Sequence, residues 1–143
     1  MDIAQLIAKR GAVDVIACNV GDTVRDVVTL LATKRIGALP VMREGALAGI
    51  FSERDVIYRL ADDGSACLDT PVGDVMTAPA ITVETSTQVD EALGLMTRRR
   101  IRHLPVVKDG AMCDFISIGD LVKSRIDEVQ LEAQALRNYI QTA

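Results

Sequence analysis

A serine followed three residues later by an aspartate occurs twice in similar surroundings, as Ser52 and Asp55 in FSERD and as Ser117 and Asp120 in ISIGD. Each pair stands where a strand-like run gives way to a helical segment. There, a serine hydroxyl and free amide groups can hold a phosphate, and the aspartate can accept hydrogen bonds from a cis-diol such as that of ribose. The same spacing is that of a capping box, which only satisfies the helix start. Taken singly, each pair allows both interpretations.

Other reactive residue types form no catalytic or metal-binding pattern. His103 is the only histidine, and no serine or cysteine stands at a telling spacing from it. Cys18, Cys67 and Cys113 are widely separated and include no C-x-x-C pair, so we expect reduced thiols. Since the chain also lacks a glycine-rich phosphate loop of the Walker type, we expect no enzymatic activity, no catalytic residue and no metal site.

The basic residues are few and local. Arg54 lies in the first turn after Ser52, so it is the arginine we expect to contact a phosphate there. The densest basic run, RRRIR at 98–102, is typical of a solvated helix end, and phosphate binding is its alternative. The net charge of −4 and the pI near 4.9 disfavour a nucleic-acid partner.

The two Ser-x-x-Asp pairs belong to an internal duplication. When the chain is shifted by 65 residues, the Leu-Pro-Val at 39–41 falls on that at 104–106, and the correspondence runs without a gap from residue 13 to residue 61. Register that is kept through a proline, a turn glycine and two polar residues indicates a true repeat.

Each copy predicts the order β-α-β-β-α. The first strands are DVIAC and AITVE, the first helices have Asp22 and Ser86 as N-caps, and the hairpins are ALPVM with ALAGIF and HLPVV with AMCDFI. Second helices begin at Ser52 and Ser117. The fold class is therefore α+β. One sheet face of so small a unit is uncovered, so we expect the copies to pack sheet to sheet with pseudo-twofold symmetry, plus a C-terminal helix.

These elements divide the chain into five segments. The predicted boundaries are an N-terminal helix at 1–12, repeat 1 at 13–62, a linker at 63–77, repeat 2 at 78–125 and a C-terminal helix at 126–143. Apolar residues at 122, 126, 129, 133, 136 and 140 form a heptad seam. We favour a homodimer contact through this seam over a helix that folds back on its own module.

Hydropathy predicts a cytoplasmic protein. No apolar run has the roughly 18 to 20 residues of a membrane span. The start, MDIAQLIAKRG, carries an acid where a signal peptide would carry basic residues.

The paired motifs together resemble CBS domains, two of which form a Bateman module. The resemblance runs from about residue 13 to about 125 and is carried by RIRHLPVV, the aspartate-glycine turn and the IS-x-GD step. It implies a non-catalytic sensor without a catalytic cofactor. The implied ligand is AMP, ADP, ATP or a related adenosyl compound such as NAD(H) or S-adenosylmethionine, bound in clefts between the repeats.

The resemblance also implies site residues. The aspartate of each pair binds ribose, the serine lies near phosphate, and the main chain of the Leu-Pro strand reads adenine. The implied ligand-binding residues are Gly37, Ala38, Pro40, Ser52 and Asp55 in the first copy, and His103, Pro105, Ser117 and Asp120 in the second. To the first copy we add Arg54, from its position in the first turn of the helix. Asp114 departs from the family, because the first copy has the usual glycine there (Gly49). Arg102-His103 stands where the first copy has Gly37-Ala38, so the sites cannot be equivalent.

Two functions are consistent with these patterns. The first is a homodimeric ligand sensor that modulates a partner protein, whose identity the residues do not give. The alternative is a ligand-free dimerising adaptor with empty clefts.

Overall fold

The computed structural model describes residues 1–142. Its helices and strands, in chain order, are α1 (Ile3–Arg10), β1 (Cys18–Asn19), α2 (Val24–Lys34), β2 (Ala38–Arg43), β3 (Ala46–Ser52), α3 (Glu53–Asp63), β4 (Val83–Glu84), α4 (Val89–Arg99), β5 (His103–Lys108), β6 (Ala111–Ser117) and α5 (Ile118–Thr142). Two short 3₁₀ segments, Gly64–Asp69 and Val72–Asp74, lie between α3 and β4. The α+β class and the repeated β-α-β-β-α order are confirmed.

The strands form two three-stranded sheets, with the orders β1-β2-β3 and β4-β5-β6. In the first sheet β1 runs parallel to β2, and β2 pairs antiparallel with β3. The hairpin turn has positive φ at both Glu44 (50°) and Gly45 (79°), and the second copy repeats this with Asp109 (53°) and Gly110 (80°). Such a two-residue turn matches the twist of the strands that it joins. The predicted first strands are reduced to two residues each.

The predicted N-caps of α2 and α4 were wrong by one or two residues. The N-caps are Thr23 and Gln88, not Asp22 and Ser86. The Thr23 hydroxyl accepts the amide of the third helical residue at 3.2 Å, whereas the Asp22 carboxylate accepts the amide of Asn19 at 2.9 Å. Asp22 therefore stabilises the preceding turn and leaves the helix start to threonine.

The chain divides into two compact units. We call residues 14–82 with 105–115 the first-repeat unit, and residues 1–13 with 83–104 and 116 onward the terminal-helix unit. The core of the first-repeat unit is apolar, and its largest member, Phe51, is fully buried. Its other buried members are Cys18, Val24, Val27, Leu31, Leu39, Val41 and Val72.

In the terminal-helix unit, α1 packs beside the first half of α5. Ile3 and Leu6 are buried, and the amide of Ile3 donates to the carbonyl of Thr87 at 2.9 Å. The ammonium of Met1 lies 3.7 Å from the Glu128 carboxylate. Burial and backbone bonding together fix the position of α1.

The apolar seam of α5 lies on a face that α1 does not cover. Five seam residues have exposed fractions of 41–64%: Val122, Ile126, Val129, Leu136 and Ile140. The helix is continuous across the predicted boundary at residue 126. Within residues 1–142, no helix is long and apolar enough to cross a membrane.

Candidate ligand-binding sites

The first Ser-x-x-Asp pair lies where β3 becomes α3. Ser52 has extended backbone angles and caps the helix. Its amide donates to Oδ2 of Asp55 at 2.9 Å, and its hydroxyl lies 3.0 Å from the same oxygen. The amide of Asp55 donates back to the Ser52 hydroxyl at 3.3 Å. The capping box is therefore formed, and it holds the carboxylate in one orientation at the helix start.

The other oxygen of this carboxylate accepts a hydrogen bond from a residue that sequence reasoning missed. The Thr77 hydroxyl lies 3.2 Å from Oδ1 of Asp55. Thr77 is held there by two backbone bonds of 2.9 Å with Ile50, one in each direction. All of these donors to Asp55 are neutral groups. Nothing in local spacing points to Thr77, because it stands 22 residues further along the chain.

The remaining residues predicted for the first site differ in exposure. The carbonyl of Gly37 accepts the amide of Glu53 at 2.9 Å, so it lies at the start of α3. Ala38 and Pro40 are buried in β2. If they contact a ligand, as predicted, they do so through main-chain atoms. Arg54 is exposed in the first turn of α3. The structure thus brings Gly37, Ser52, Arg54 and Asp55 together at one helix start.

The second pair has the same local geometry. The amide of Ser117 donates to Oδ2 of Asp120 at 3.0 Å, and the amide of Asp120 donates to the Ser117 hydroxyl at 3.2 Å. The amide of Ile118 donates to the carbonyl of Arg102 at 2.8 Å. That bond corresponds to the Glu53–Gly37 bond of the first copy.

A partly buried arginine contacts the carboxylate of the second pair. Nη1 of Arg10, the last residue of α1, lies 3.5 Å from Oδ2 of Asp120. The Arg10 and Asp120 side chains are only 18% and 29% exposed. Sequence reasoning missed Arg10, although a signal existed: Ile3, Leu6 and Arg10 are spaced i, i+3, i+7 and so share one helix face.

His103 and Pro105 lie on β5 but in different compact units. His103 is half-buried and belongs to the terminal-helix unit, like Ser117 and Asp120. Pro105 is buried within the first-repeat unit. Their predicted contacts with a ligand stay predictions.

Asp114 is directed towards backbone. It is 7% exposed, and its Oδ1 accepts the amide of Phe115 at 2.7 Å. In the first copy the corresponding amide, that of Ile50, donates to the carbonyl of Thr77. A Cβ on Gly49 would lie 2.6 Å from that carbonyl oxygen, which explains the glycine there. The Asp114 side chain thus provides an acceptor that the linker provides in the first copy.

The thiols and the arginine run add no further candidate site to the two Ser-x-x-Asp pairs. Burial, and secondarily the charge of Asp22, raises the pKa of Cys18 from 9.0 to about 12, so its thiol is neutral at physiological pH. Arg98 and Arg99 end α4 and are exposed, as expected for a solvated helix end. Within residues 1–142, no cluster of three or more His, Cys, Asp or Glu is arranged to hold a metal ion.

Comparison with known proteins accounts for both copies. The family described as CBS domain matches residues 5–62 and 72–127. The mitochondrial CBS domain-containing protein CBSX3 of Arabidopsis thaliana is 43% identical over 129 residues, which cover 87% of this chain and 63%, less than two thirds, of that protein. A CBS-domain containing protein from Agrobacterium tumefaciens has a crystal structure with a TM-score of 0.82 and 32% identity, covering 87% of this chain and 99% of that one. The crystal structure of CBSX2 in complex with AMP has a TM-score of 0.73 and 25% identity, covering 88% and 96%. With a match to both repeats, this chain belongs to the CBS-domain family as a tandem pair.

Proposed function

We propose that this chain is a non-catalytic regulatory module that binds an adenosine-containing ligand and modulates a partner protein. The observation that carries the proposal is the position and hydrogen bonding of the Asp55 carboxylate. Its carboxylate is fixed at a helix start, and both oxygens accept hydrogen bonds from neutral donors. The two hydroxyls of a ribose are donors of the same kind and can take the place of the Thr77 hydroxyl. The AMP complex of CBSX2 supports the choice of ligand class.

The groups around Asp55 suit the rest of a nucleotide. The Ser52 hydroxyl and the first amides of α3 are donors at the positive end of the helix dipole, where a phosphate is stabilised. Arg54 adds an exposed guanidinium in the same turn. The main chain from Gly37 to Pro40 is our candidate for recognition of adenine. Pro105 and His103 are the corresponding candidates on β5.

Regulation by such a site depends on differential affinity. A ligand shifts the population of two conformations only by the difference between its binding free energies for them. We expect AMP, ADP, ATP, NAD(H) and S-adenosylmethionine to differ in how strongly they favour one conformation over the other. We expect the partner protein to respond to the favoured conformation.

Isothermal titration calorimetry with these five compounds tests the proposal, and thermal unfolding gives an independent readout. A ligand at a hundredfold excess over its Kd stabilises the folded state by about 2.7 kcal/mol per site. Saturable binding that Asp55→Ala weakens supports the sensor. If none of the five compounds binds or shifts the unfolding temperature, the ligand-free adaptor is the better description.

We further propose that the α5 seam mediates a homodimer. Apolar side chains exposed along three turns or more are stabilised when a second helix covers them. Leu136 is 60% exposed at the centre of the distal part of the seam. Analytical ultracentrifugation should show a dimer for the wild type and a monomer for Leu136→Arg. A Gln134→Arg variant, changed at a polar exposed position two residues away, is the matched control and should stay dimeric.

The free cysteines bear on the compartment. Cys18, Cys67 and Cys113 are all unpaired thiols. Reduced cysteines are the norm in the cytosol, and we propose that the protein acts there.

A further inference from the structure

We propose that the α5 seam pairs in parallel with the α5 seam of a second copy of this chain, as a two-stranded coiled coil in which Glu132 of each copy faces Arg137 of the other. The inference rests on the proposed homodimer, which leaves the relative direction of the two helices open. The charged residues beside the seam determine that direction.

The distal part of α5 receives little support from its own chain. The last buried residue of the helix is Ser124. From residue 129 to residue 142 every side chain is exposed except that of Ala133, which is half-buried. An isolated helix of about 12–15 residues is only marginally stable in water. A second helix that covers the seam would therefore stabilise this segment.

The seam assigns each residue of this segment a heptad position. The seam residues are Val122, Val129 and Leu136 at position d, and Ile126, Ala133 and Ile140 at position a. Positions e and g flank the seam and face the partner helix, so their charges set the direction of pairing. The e residues are Lys123, Gln130 and Arg137, and the g residues are Arg125, Glu132 and Tyr139.

Parallel pairing joins opposite charges. In a parallel pair each g residue faces the e residue of the following heptad on the partner helix. Glu132 then faces Arg137 of the other copy, and twofold symmetry makes this contact twice. Arg125 faces the neutral Gln130, and within its own chain it lies 3.5 Å from the carboxylates of Asp90 and Glu128. The parallel arrangement thus places no like charges against each other.

Antiparallel pairing over the same seam joins like charges. In that arrangement g residues face g residues and e residues face e residues. When the two seams overlap fully, Glu132 faces Glu132 of the other copy, and Lys123 faces Arg137. Like charges placed opposite each other destabilise an interface. The charge pattern therefore favours the parallel direction.

Charge reversal at Arg137 distinguishes the two directions, because it affects them in opposite ways. In the parallel dimer Arg137→Glu places carboxylates face to face, and sedimentation velocity at low salt should show a dimer Kd about tenfold weaker. In an antiparallel dimer the same variant would attract Lys123 and tighten the Kd. Asn138→Glu is the matched control, since it adds a carboxylate at the neighbouring exposed residue, opposite the seam, and should change the Kd by less than twofold.

Complementation shows whether the weakened variants still fold. Glu132→Lys alone should also weaken the parallel dimer. A mixture of the Glu132→Lys and Arg137→Glu chains should form a heterodimer, because both of its e–g contacts join opposite charges. The double variant Glu132→Lys, Arg137→Glu should dimerise like the wild type.

A cysteine in the seam gives a readout that does not depend on charge. In a parallel dimer the two copies of a d residue lie in the same layer, so Val129→Cys should form an intermolecular disulfide under mild oxidation. Ala135→Cys, at the outward position c, should not. Both variants carry Cys113→Ser, because Cys113 is exposed whereas Cys18 and Cys67 are buried.

The outcomes separate this inference from the homodimer on which it rests. A dimer that Arg137→Glu tightens, or that Val129→Cys does not cross-link, overturns the parallel direction and leaves the homodimer in place. A wild type that sediments as a monomer overturns both. So does a dimer that neither Leu136→Arg nor Arg137→Glu weakens, since it must use another surface.

Discussion

Replacement of Asp55 by alanine should reduce two separate free energies: the free energy of unfolding of the ligand-free protein and the binding free energy of the ligand. In the empty protein the carboxylate accepts hydrogen bonds from the amide and hydroxyl of Ser52 and from the hydroxyl of Thr77. Both hydroxyls can turn to water, so the main loss is the helix-start interaction with the Ser52 amide. We expect the free energy of unfolding to fall by about 1–2 kcal/mol, the usual contribution of a cap.

We expect the loss of binding free energy to be larger than this loss of stability. A diol donates two hydrogen bonds to a charged acceptor, and at about 1.5 kcal/mol each their loss amounts to about 3 kcal/mol, or roughly 140-fold in Kd. AMP at a hundredfold excess over the wild-type Kd stabilises this site by about 2.7 kcal/mol; after the substitution the same concentration stabilises it by only about 0.3 kcal/mol.

Urea denaturation with and without AMP measures both costs. The matched control is Asp26→Ala, since Asp26 follows its N-cap Thr23 by three residues, just as Asp55 follows Ser52. The control should lose no more than about 1 kcal/mol of stability and keep the full AMP effect. If AMP stabilises Asp55→Ala as strongly as the wild type, Asp55 does not bind the ligand and the assignment of the first site is wrong.

Three further predictions concern local packing. Gly49→Ala should lower the free energy of unfolding by about 1–3 kcal/mol in urea, because its Cβ would overlap a backbone carbonyl oxygen at 2.6 Å, whereas Gly21→Ala, with nothing within 4 Å, should change it by less than about 1 kcal/mol. Iodoacetamide at pH 8 should label the exposed Cys113 in the native protein and leave Cys18 unmodified until denaturant is added, as mass spectrometry would show. Asp114→Ala should cost about 1–2 kcal/mol and Asp114→Asn less, since asparagine retains an oxygen that can accept the strand amide; equal losses in urea would contradict this role.

Much of the fold was predictable because the signals are local and appear twice. The hairpin turns follow from an acid-glycine pair between apolar runs, and the start of α3 follows from Ser52 and Asp55. The N-caps of α2 and α4 were misplaced because neighbouring polar residues compete for the role, and only the turn geometry decides between Asp22 and Thr23.

The site was predictable only where its residues are close in sequence. Each serine and aspartate occupies the helix start that their spacing implies. Thr77 and Arg10 approach the carboxylates from 22 and 110 residues away. Periodicity places Arg10 on the buried face of α1, but neither its partner nor that of Thr77 follows from it, because these pairings depend on how a flanking segment packs.

The two sites differ through their flanking segments more than through the repeated motif. With the 65-residue shift, Thr77 corresponds to Ala12, which is two residues after Arg10. Each carboxylate is thus contacted by the stretch that precedes a repeat: the linker supplies a hydroxyl to Asp55, and the N-terminal helix supplies a guanidinium to Asp120. The duplicated core fixes two similar carboxylates, and the residues before each repeat set the kind of donor that lies beside each of them. Under the proposed function, ligand preference can change through these segments while the core of each unit stays the same.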